Sequence, residues 1–139
     1  NVDGIVSGAP PGAGLSDTGR REAAELAGRL GSERIGLGIS SRFARARETL
    51  SLALAGHGHM PQIAMDELDE IGFGSFEGGP LAAYREWAWA NDPAAPCPGG
   101  GESRSAVAVR IATALELLLA RPEGTILVVG HALPLRSIQ

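Results

Sequence analysis

Arg45, Glu70 and His131 are the side chains in this sequence whose chemistry fits together most readily. An arginine fork donates two hydrogen bonds to an oxyanion, and a carboxyl group in a partly apolar pocket can donate a proton. A histidine can act as a nucleophile, an acid or a base. This set suits phosphoryl transfer, which depends mainly on positioning and on stabilising negative charge. Spacing alone leaves the assignment a hypothesis, because His131 could also simply end a strand.

His131 follows an apolar run that predicts a strand. Residues Ile126 to Val129 are all apolar without alternation, and the run stops at Gly130. This pattern predicts a central strand of a parallel sheet, buried on both faces. Pro134 then suits the first turn of a helix. Ligands of open α/β sheets bind at the carboxyl ends of strands, and free N–H groups of a helix start favour anions. We therefore expect an anion site around His131.

Glu70 lies in an acidic, glycine-rich segment, residues 66–79, that also contains Phe73 and Phe76. A charged segment of this kind is usually a solvated loop. The two aromatic side chains favour burial, however, and would carry nearby carboxylates into a partly apolar pocket. Burial raises the pKa of a carboxyl group, so this loop is predicted to hold a usable general acid.

Arg45 is one of three arginines, with Arg42 and Arg47, that crowd the start of a predicted helix. A cation at that end of a helix opposes the macrodipole, by roughly 0.3–1 kcal/mol each when exposed. The pattern favours an anion bound to at least one of them, although solvated surface arginines are the common alternative.

Helix and strand signals alternate along the chain and must position these side chains. We predict helices at residues 16–30, 44–55, 81–90 and 103–120, and strands at 35–40, 61–65 and 126–129. The first helix is predicted to begin at the N-cap Ser16 and to bury a stripe through Ala23 and Leu30; the last is predicted to bury Val107, Ile111, Leu115 and Leu118. Residues 1–14 predict an extended loop and residues 91–101 a linker or lid-like loop. The alternation predicts an α/β fold with a mainly parallel sheet.

Composition narrows the possible chemistry. The 139 residues suffice for a single domain, and 44% hydrophobic with 20% charged residues is the balance of an ordinary soluble protein. A net charge of −4 indicates neither a nucleic-acid nor a membrane partner. No segment resembles a signal peptide or a membrane span, so a cytoplasmic location is the default expectation. All twelve basic residues are Arg, which excludes lysine Schiff-base chemistry and a phosphate-loop lysine. Cys97 has no second cysteine to pair with.

Two further histidines, His57 and His59, lie in a glycine loop. Histidines at this spacing could ligate a metal, but no third or fourth ligand stands at a suitable distance along the chain. We therefore expect both to be solvent-exposed loop residues and expect no metal site.

Six segments resemble, in order, the motifs of a known family, and they span nearly the whole chain. They are residues 1–8, like the stretch after an R-H-G motif; 15–20, like L-T-x-x-G-R; 40–49, like S-S-x-L-x-R-A-x-x-T; 68–78, like L-x-E with G-x-x-E-G; 98–103, like P-x-G-E-S; and 128–131, like V-V-S-H. On these motifs the chain resembles the histidine phosphatase superfamily, the phosphoglycerate mutase-like enzymes. The resemblance implies a three-layer α/β/α fold.

The resemblance also implies a role for each matching residue. Arg45 would bind the phosphoryl oxygens, His131 would bind phosphate and stabilise the transition state, and Glu70 would be the general acid. The residues that would border the phosphate and substrate pocket are Asn1, Ser7, Gly8 and Ala132, the last through its backbone N–H. In this family the nucleophile is the histidine of the R-H-G motif, which is phosphorylated and then attacked by water or a second alcohol. No metal and no other cofactor is implied.

The chain departs from the family pattern at the motif that supplies the nucleophile. The 139 residues contain no R-H-G, and Asn1 begins where that motif would end. We expect a single domain truncated at both ends, with the nucleophilic histidine upstream of Asn1 and no turnover by the 139 residues alone. The rival interpretation is a degenerate, non-catalytic member. Smaller differences are Ile5, where Arg is common, and Ala132, where Gly is common.

Three functional classes remain to be weighed. The segment between Gly78 and Pro98 is short, about twenty residues, and holds a single Arg, Arg85. The mutases of the family usually carry a longer insertion there, with several basic residues. A phosphomonoester hydrolase acting on a small phosphorylated metabolite is therefore favoured over a phosphoglycerate mutase. A non-catalytic phospho-ligand binder is the second class. A generic nucleotide-binding domain is disfavoured because no G-x-G-x-x-G follows a strand. A homodimer is left open.

Overall fold

The computed structural model describes residues 4–136 and confirms the α/β class. The helices are α1 (Asp17–Leu30), α2 (Ala44–Ala53), α3 (Leu81–Ala90), α4 (Arg104–Leu119) and α5 (Ala132–Leu135). The strands are β1 (Leu37–Ser40), β2 (Gln62–Ala64) and β3 (Ile126–Val129). Two short 3₁₀ turns, Asp66–Leu68 and Gly74–Phe76, lie within the acidic loop. The predicted elements are all present, with ends that differ by one to two residues.

The three strands of the described region form one parallel sheet in the order β2-β1-β3. Leu37 and Ile39 of β1 face a core that includes Val107 and Ile111 of α4. The opposite face packs on Leu50 and Leu54 of α2. Helices therefore cover both faces, which gives the expected three layers.

Gly38, in the middle of β1, lies where α2 packs closely against the sheet. A Cβ atom at Gly38 would lie 2.7 Å from Leu54 Cδ1 and 3.1 Å from Leu50 Cδ1. A side chain here would force Leu54 and Leu50 to shift, so glycine lets α2 lie directly against the sheet with both leucines in place. The start of α2, and Arg45 with it, lies at the carboxyl end of β1 because only residues 41–43 separate the two elements.

The long helices begin where their sequence signals predict. Ser16 caps α1 by accepting from the N–H of Gly19 at 3.2 Å, and Ser103 caps α4 by accepting from Ala106 at 3.1 Å. One detail of α4 was wrong: Ala114 is fully buried, whereas Leu115 is only half-buried. Ala114 therefore joins Val107 and Ile111 in the core, in place of the predicted Leu115. Within the described residues, no helix is both long and apolar enough to cross a membrane.

The expectation that β3 is a central strand buried on both faces is wrong for the described residues. All four residues of β3 are half-buried, whereas all four residues of β1 are buried. Among residues 4–136, β3 pairs on one side only, with β1. An apolar run reports how well a strand suits burial, but the neighbours that cover it are set by topology.

Candidate active site

Arg45 and His131 meet at the carboxyl ends of β1 and β3. Arg45 lies in the first turn of α2, just beyond β1, and His131 directly follows Gly130 at the end of β3. Arg45 Nη2 lies 3.3 Å from His131 Nδ1 and donates to the carbonyl oxygen of Ser7 at 3.1 Å. Three of the predicted site residues are therefore in direct contact.

Ser41 fixes the other ring nitrogen of His131. Ser41 Oγ lies 2.7 Å from His131 Nε2, and both residues are buried. Because the guanidinium of Arg45 can only donate, Nδ1 is the acceptor in the neutral ring and Nε2–H donates to Ser41. Burial, with the positive charges of Arg45 and Arg110, lowers the pKa of His131 to about 4. The imidazole is therefore neutral at pH 7.

Phe43 holds both of these groups in place. Its ring packs edge-on against His131, with centroids 4.8 Å apart, and the guanidinium carbon of Arg45 lies 4.4 Å from its centroid. Phe43 is fully buried, so its ring is a fixed apolar contact for both Arg45 and His131. Burial also lowers the pKa of Arg45, while the carboxylates of Glu70 and Glu77 raise it.

Ser7 and Gly8 are joined to the acidic loop. The backbone N–H of Gly8 donates to both carboxylate oxygens of Glu77, at 2.8 and 3.0 Å. A Cβ atom at Gly8 would collide with the carbonyl oxygen of Ile71, so this position admits only glycine. The chain around residues 7–8 therefore lies directly against the loop that carries Glu70.

Glu70 is half-buried, and its Oε1 atom accepts from the backbone N–H of Ile71 at 3.0 Å. Burial raises the pKa of Glu70, while that hydrogen bond and the charges of Arg45 and Arg110 lower it in part. The carboxyl is thus held in the environment that the aromatic residues of its loop predict. Arg45 acts on Glu70 through its charge.

The remaining predicted residues fall in several places. Ala132 is the first residue of α5 and is exposed, while Asn1 lies outside the described residues. Arg42 is bound to the buried Asp69, its Nη2 atom 2.6 Å from Oδ2.

The expectation that His57 is solvent-exposed is wrong. His57 is half-buried and its Nε2 atom contacts the carbonyl oxygen of Leu30 at 3.0 Å, whereas His59 is exposed. Packing of the loop after α2 against the end of α1 covers His57, which composition does not reveal.

Sequence reasoning overlooked the residues that support the site. Ser41, Phe43 and Glu77 were recognised only as members of motifs, without a contact assigned to any of them. The available signal was the position of Ser41 and Phe43 between a strand and an arginine-rich helix start. Their partners lie up to 90 residues away along the chain, so sequence spacing could not identify those partners.

Comparisons with known proteins agree with this architecture. Residues 1–139 match the family profile of the histidine phosphatase superfamily (branch 1). YhfR of Bacillus stearothermophilus is 26% identical with a TM-score of 0.84, and the match covers 99% of this chain and 70% of that one. The alpha-ribazole phosphatase of Shigella flexneri is 28% identical with a TM-score of 0.79, and the match covers 94% of this chain and 67% of that one. No curated protein sequence matches the chain.

A third solved structure is the mycobacterial glucosyl-3-phosphoglycerate phosphatase in complex with VO3. It is 26% identical with a TM-score of 0.81, and the match covers 99% of this chain and 71% of that one. The profile match spans every residue of the chain, and two of these three structural neighbours are named as phosphatases. The chain therefore belongs to the histidine phosphatase superfamily, as its motifs implied.

Proposed function

We propose that this protein hydrolyses phosphomonoesters through a phosphohistidine intermediate. The observation that carries the proposal is the contact between Arg45 Nη2 and His131 Nδ1, 3.3 Å apart at the ends of two adjacent parallel strands. A fixed arginine beside a buried histidine is a preorganised anion site. The attacking histidine belongs to the R-H-G motif that the family pattern places upstream of Asn1.

Arg45 and His131 bind the phosphoryl group in this proposal. Arg45 donates to its oxygens, and a phosphate dianion beside His131 favours the protonated ring, which then donates as well. Burial and the two neighbouring arginines lower the pKa of His131 to about 4, and a bound anion would supply the compensating charge that favours its protonation. The resemblance assigns Ser7, Gly8 and the backbone N–H of Ala132 to the border of the pocket, together with Asn1, which lies outside the described residues.

Glu70 protonates the leaving group. A carboxyl whose pKa is raised by burial holds its proton closer to neutral pH and can deliver it to an alkoxide as the P–O bond breaks. Arg45 couples electrostatically to Glu70, so the acid and the phosphate-binding group belong to one site.

Hydrolysis is favoured over mutase chemistry. The fold neighbours named above as an alpha-ribazole phosphatase and a glucosyl-3-phosphoglycerate phosphatase are both phosphatases. The segment before Pro98 holds a single basic residue, Arg85, which is exposed on α3. A small phosphorylated metabolite is therefore the proposed substrate class.

The test uses a chain extended upstream through the R-H-G segment that the family pattern implies. It is expected to hydrolyse 4-nitrophenyl phosphate in the presence of EDTA. Arg45→Ala and His131→Ala should each lower kcat by about 100-fold or more, since each removes a transition-state charge contact. The 139 residues alone are expected to show no turnover.

His59→Ala is the matched control, because His59 is exposed and lies on the loop after α2. It should retain the unmodified rate. Activity that survives His131→Ala would overturn the site assignment, and an extended chain that binds phosphate without hydrolysing it would indicate a non-catalytic member. Transfer to a second phosphoglycerate faster than to water would indicate a mutase.

A further inference from the structure

Arg110, on α4, is bound to three backbone carbonyls of the segment that carries Glu70. Its Nη1 atom donates to the carbonyl oxygens of Glu67 at 2.8 Å and Asp69 at 2.9 Å. Its Nη2 atom donates to the carbonyl oxygen of Glu70 at 3.4 Å. A guanidinium can serve several acceptors from one rigid plane. One side chain thus fixes the backbone that leads into and through Glu70.

Glu102 holds Arg110 and the far side of the same segment. Its carboxylate accepts from Arg110 Nε at 3.0 Å and from Nη2 at 2.9 Å. Oε2 of Glu102 also accepts from the N–H of Gly72 at 2.8 Å, and the Glu102 N–H donates to the Gly72 carbonyl at 2.8 Å. Arg110 and Glu102 therefore bracket Glu70 from both directions along the chain.

This pair differs from an ordinary surface ion pair. The side chains of Arg110 and Glu102 are 18% and 33% exposed, and both also bind a segment more than 25 residues away. Arg121 and Glu123 form a similar two-bond pair, at 3.0 and 2.7 Å, between residues two positions apart. The second pair supplies a control for the first.

We propose that Arg110 and Glu102 form a clamp that positions the Glu70 carboxyl for proton donation. The proposal rests on the proposed function, because it takes Glu70 as the acid. Arg110 is a positioning residue, since it acts through the backbone of residues 67–72. Asp69 stays bound to Arg42 when the clamp is removed, so the loop is loosened around Glu70 and not detached.

The charges of the clamp point to a geometric role. Burial is the main influence that raises the pKa of Glu70; the charge of Arg110 lowers it and that of Glu102 raises it. Because the two charges act on that pKa in opposite directions, what the pair adds is a fixed position for the carboxyl.

The test compares two substrates that differ in their need for an acid. Nitrophenolate leaves without a proton, whereas the alkoxide of glycerol 1-phosphate requires one. In the extended chain, Glu70→Gln should lower kcat about 100-fold on glycerol 1-phosphate and only a few-fold on 4-nitrophenyl phosphate. Arg110→Met should show the same selectivity at about 10-fold, with KM and vanadate inhibition nearly unchanged. Arg121→Met should match the unmodified chain on both substrates.

Hydrogen exchange of the amides of residues 67–73 provides a readout that does not depend on the acid. Arg110→Met should speed exchange there, and Arg121→Met should not. Arg110→Lys keeps the charge but loses the fork, so it should reproduce both effects if Arg110→Met does not fold. Equal losses on the two substrates, or unchanged exchange, would overturn the clamp. If Glu70→Gln itself shows no selectivity, the proposed role of Glu70 fails, while the exchange rates still decide whether the clamp exists.

Discussion

The two strands that carry the candidate site are alike in length and direction but differ in how well they are held. β1 has neighbours on both sides and is buried at all four residues, and Ser41 after it is fully buried. β3 pairs with β1 only, within the described residues, and is half-buried throughout. Yet His131, at its end, is only 7% exposed.

The difference shows that the contacts that hold the His131 ring come from residues that follow β1, and not from β3. Ser41 and Phe43 lie in the connection from β1 to α2, Arg45 lies in the first turn of α2, and each contacts the His131 ring. β3 determines where His131 lies, while the residues that follow β1 form the surroundings of its ring. The next experiments test this division of roles.

The largest difference is expected between Leu37→Ala and Ile126→Ala. Leu37 and Ile126 are register partners on β1 and β3, and the two side chains contain the same atoms. Leu37 is fully buried, so its truncation should lower the free energy of unfolding by about 3–5 kcal/mol. Ile126 is half-buried, so its truncation should lower the free energy of unfolding by only about 1–2 kcal/mol. Urea unfolding of both variants measures the contrast, and equal costs would refute it.

The second prediction concerns the pH dependence of stability at His131. Its pKa is about 4 in the fold and 6.5 as a model value, so between these the unfolded state binds the extra proton. Stability should fall as pH drops from 7 to 4, by roughly 3 kcal/mol from this group. Glu70, whose pKa is raised, acts in the opposite direction. The difference between the unmodified chain and His131→Gln isolates the effect, and a flat difference would contradict it.

Ser41→Ala should have the smallest effect of the three. It leaves the buried Nε2–H of His131 without its acceptor, which costs about 1–2 kcal/mol of unfolding free energy. Ser40→Ala is the matched control, because Ser40 is also buried but its hydroxyl donates to the adjacent Ser41 carbonyl. Thermal unfolding compares them. A loss for Ser40→Ala as large as for Ser41→Ala would show that the contact with His131 is not what matters.

Elements set by local signals were predictable from the sequence. The predicted serine cap of α1 acts within three residues, and Val107 and Ile111 of the stripe predicted for α4 lie in the core. The alternation of helices and strands predicted the parallel sheet. These features depend on near neighbours, which a sequence displays directly.

Features set by distant contacts were not predictable. The half-burial of β3 depends on which strands flank it, and the cover of His57 depends on the end of α1. Arg110 carried no motif that would mark it, because its acceptors are backbone carbonyls about 40 residues away. The resemblance supplied roles for Arg45, Glu70 and His131, and these roles remain predictions until activity is measured.

The most direct test of the central claim, that Arg45 and His131 bind the phosphoryl group, is a phosphate titration of the extended chain followed by ¹⁵N NMR of its histidine rings. Phosphate should shift the His131 nitrogens in a saturable way and raise the pKa of His131 above about 4, because a bound anion favours the protonated ring. His57, bound to the Leu30 carbonyl, should stay unchanged. Arg45→Ala should abolish the response. Phosphate that binds while the His131 resonances remain at their free positions would contradict the account.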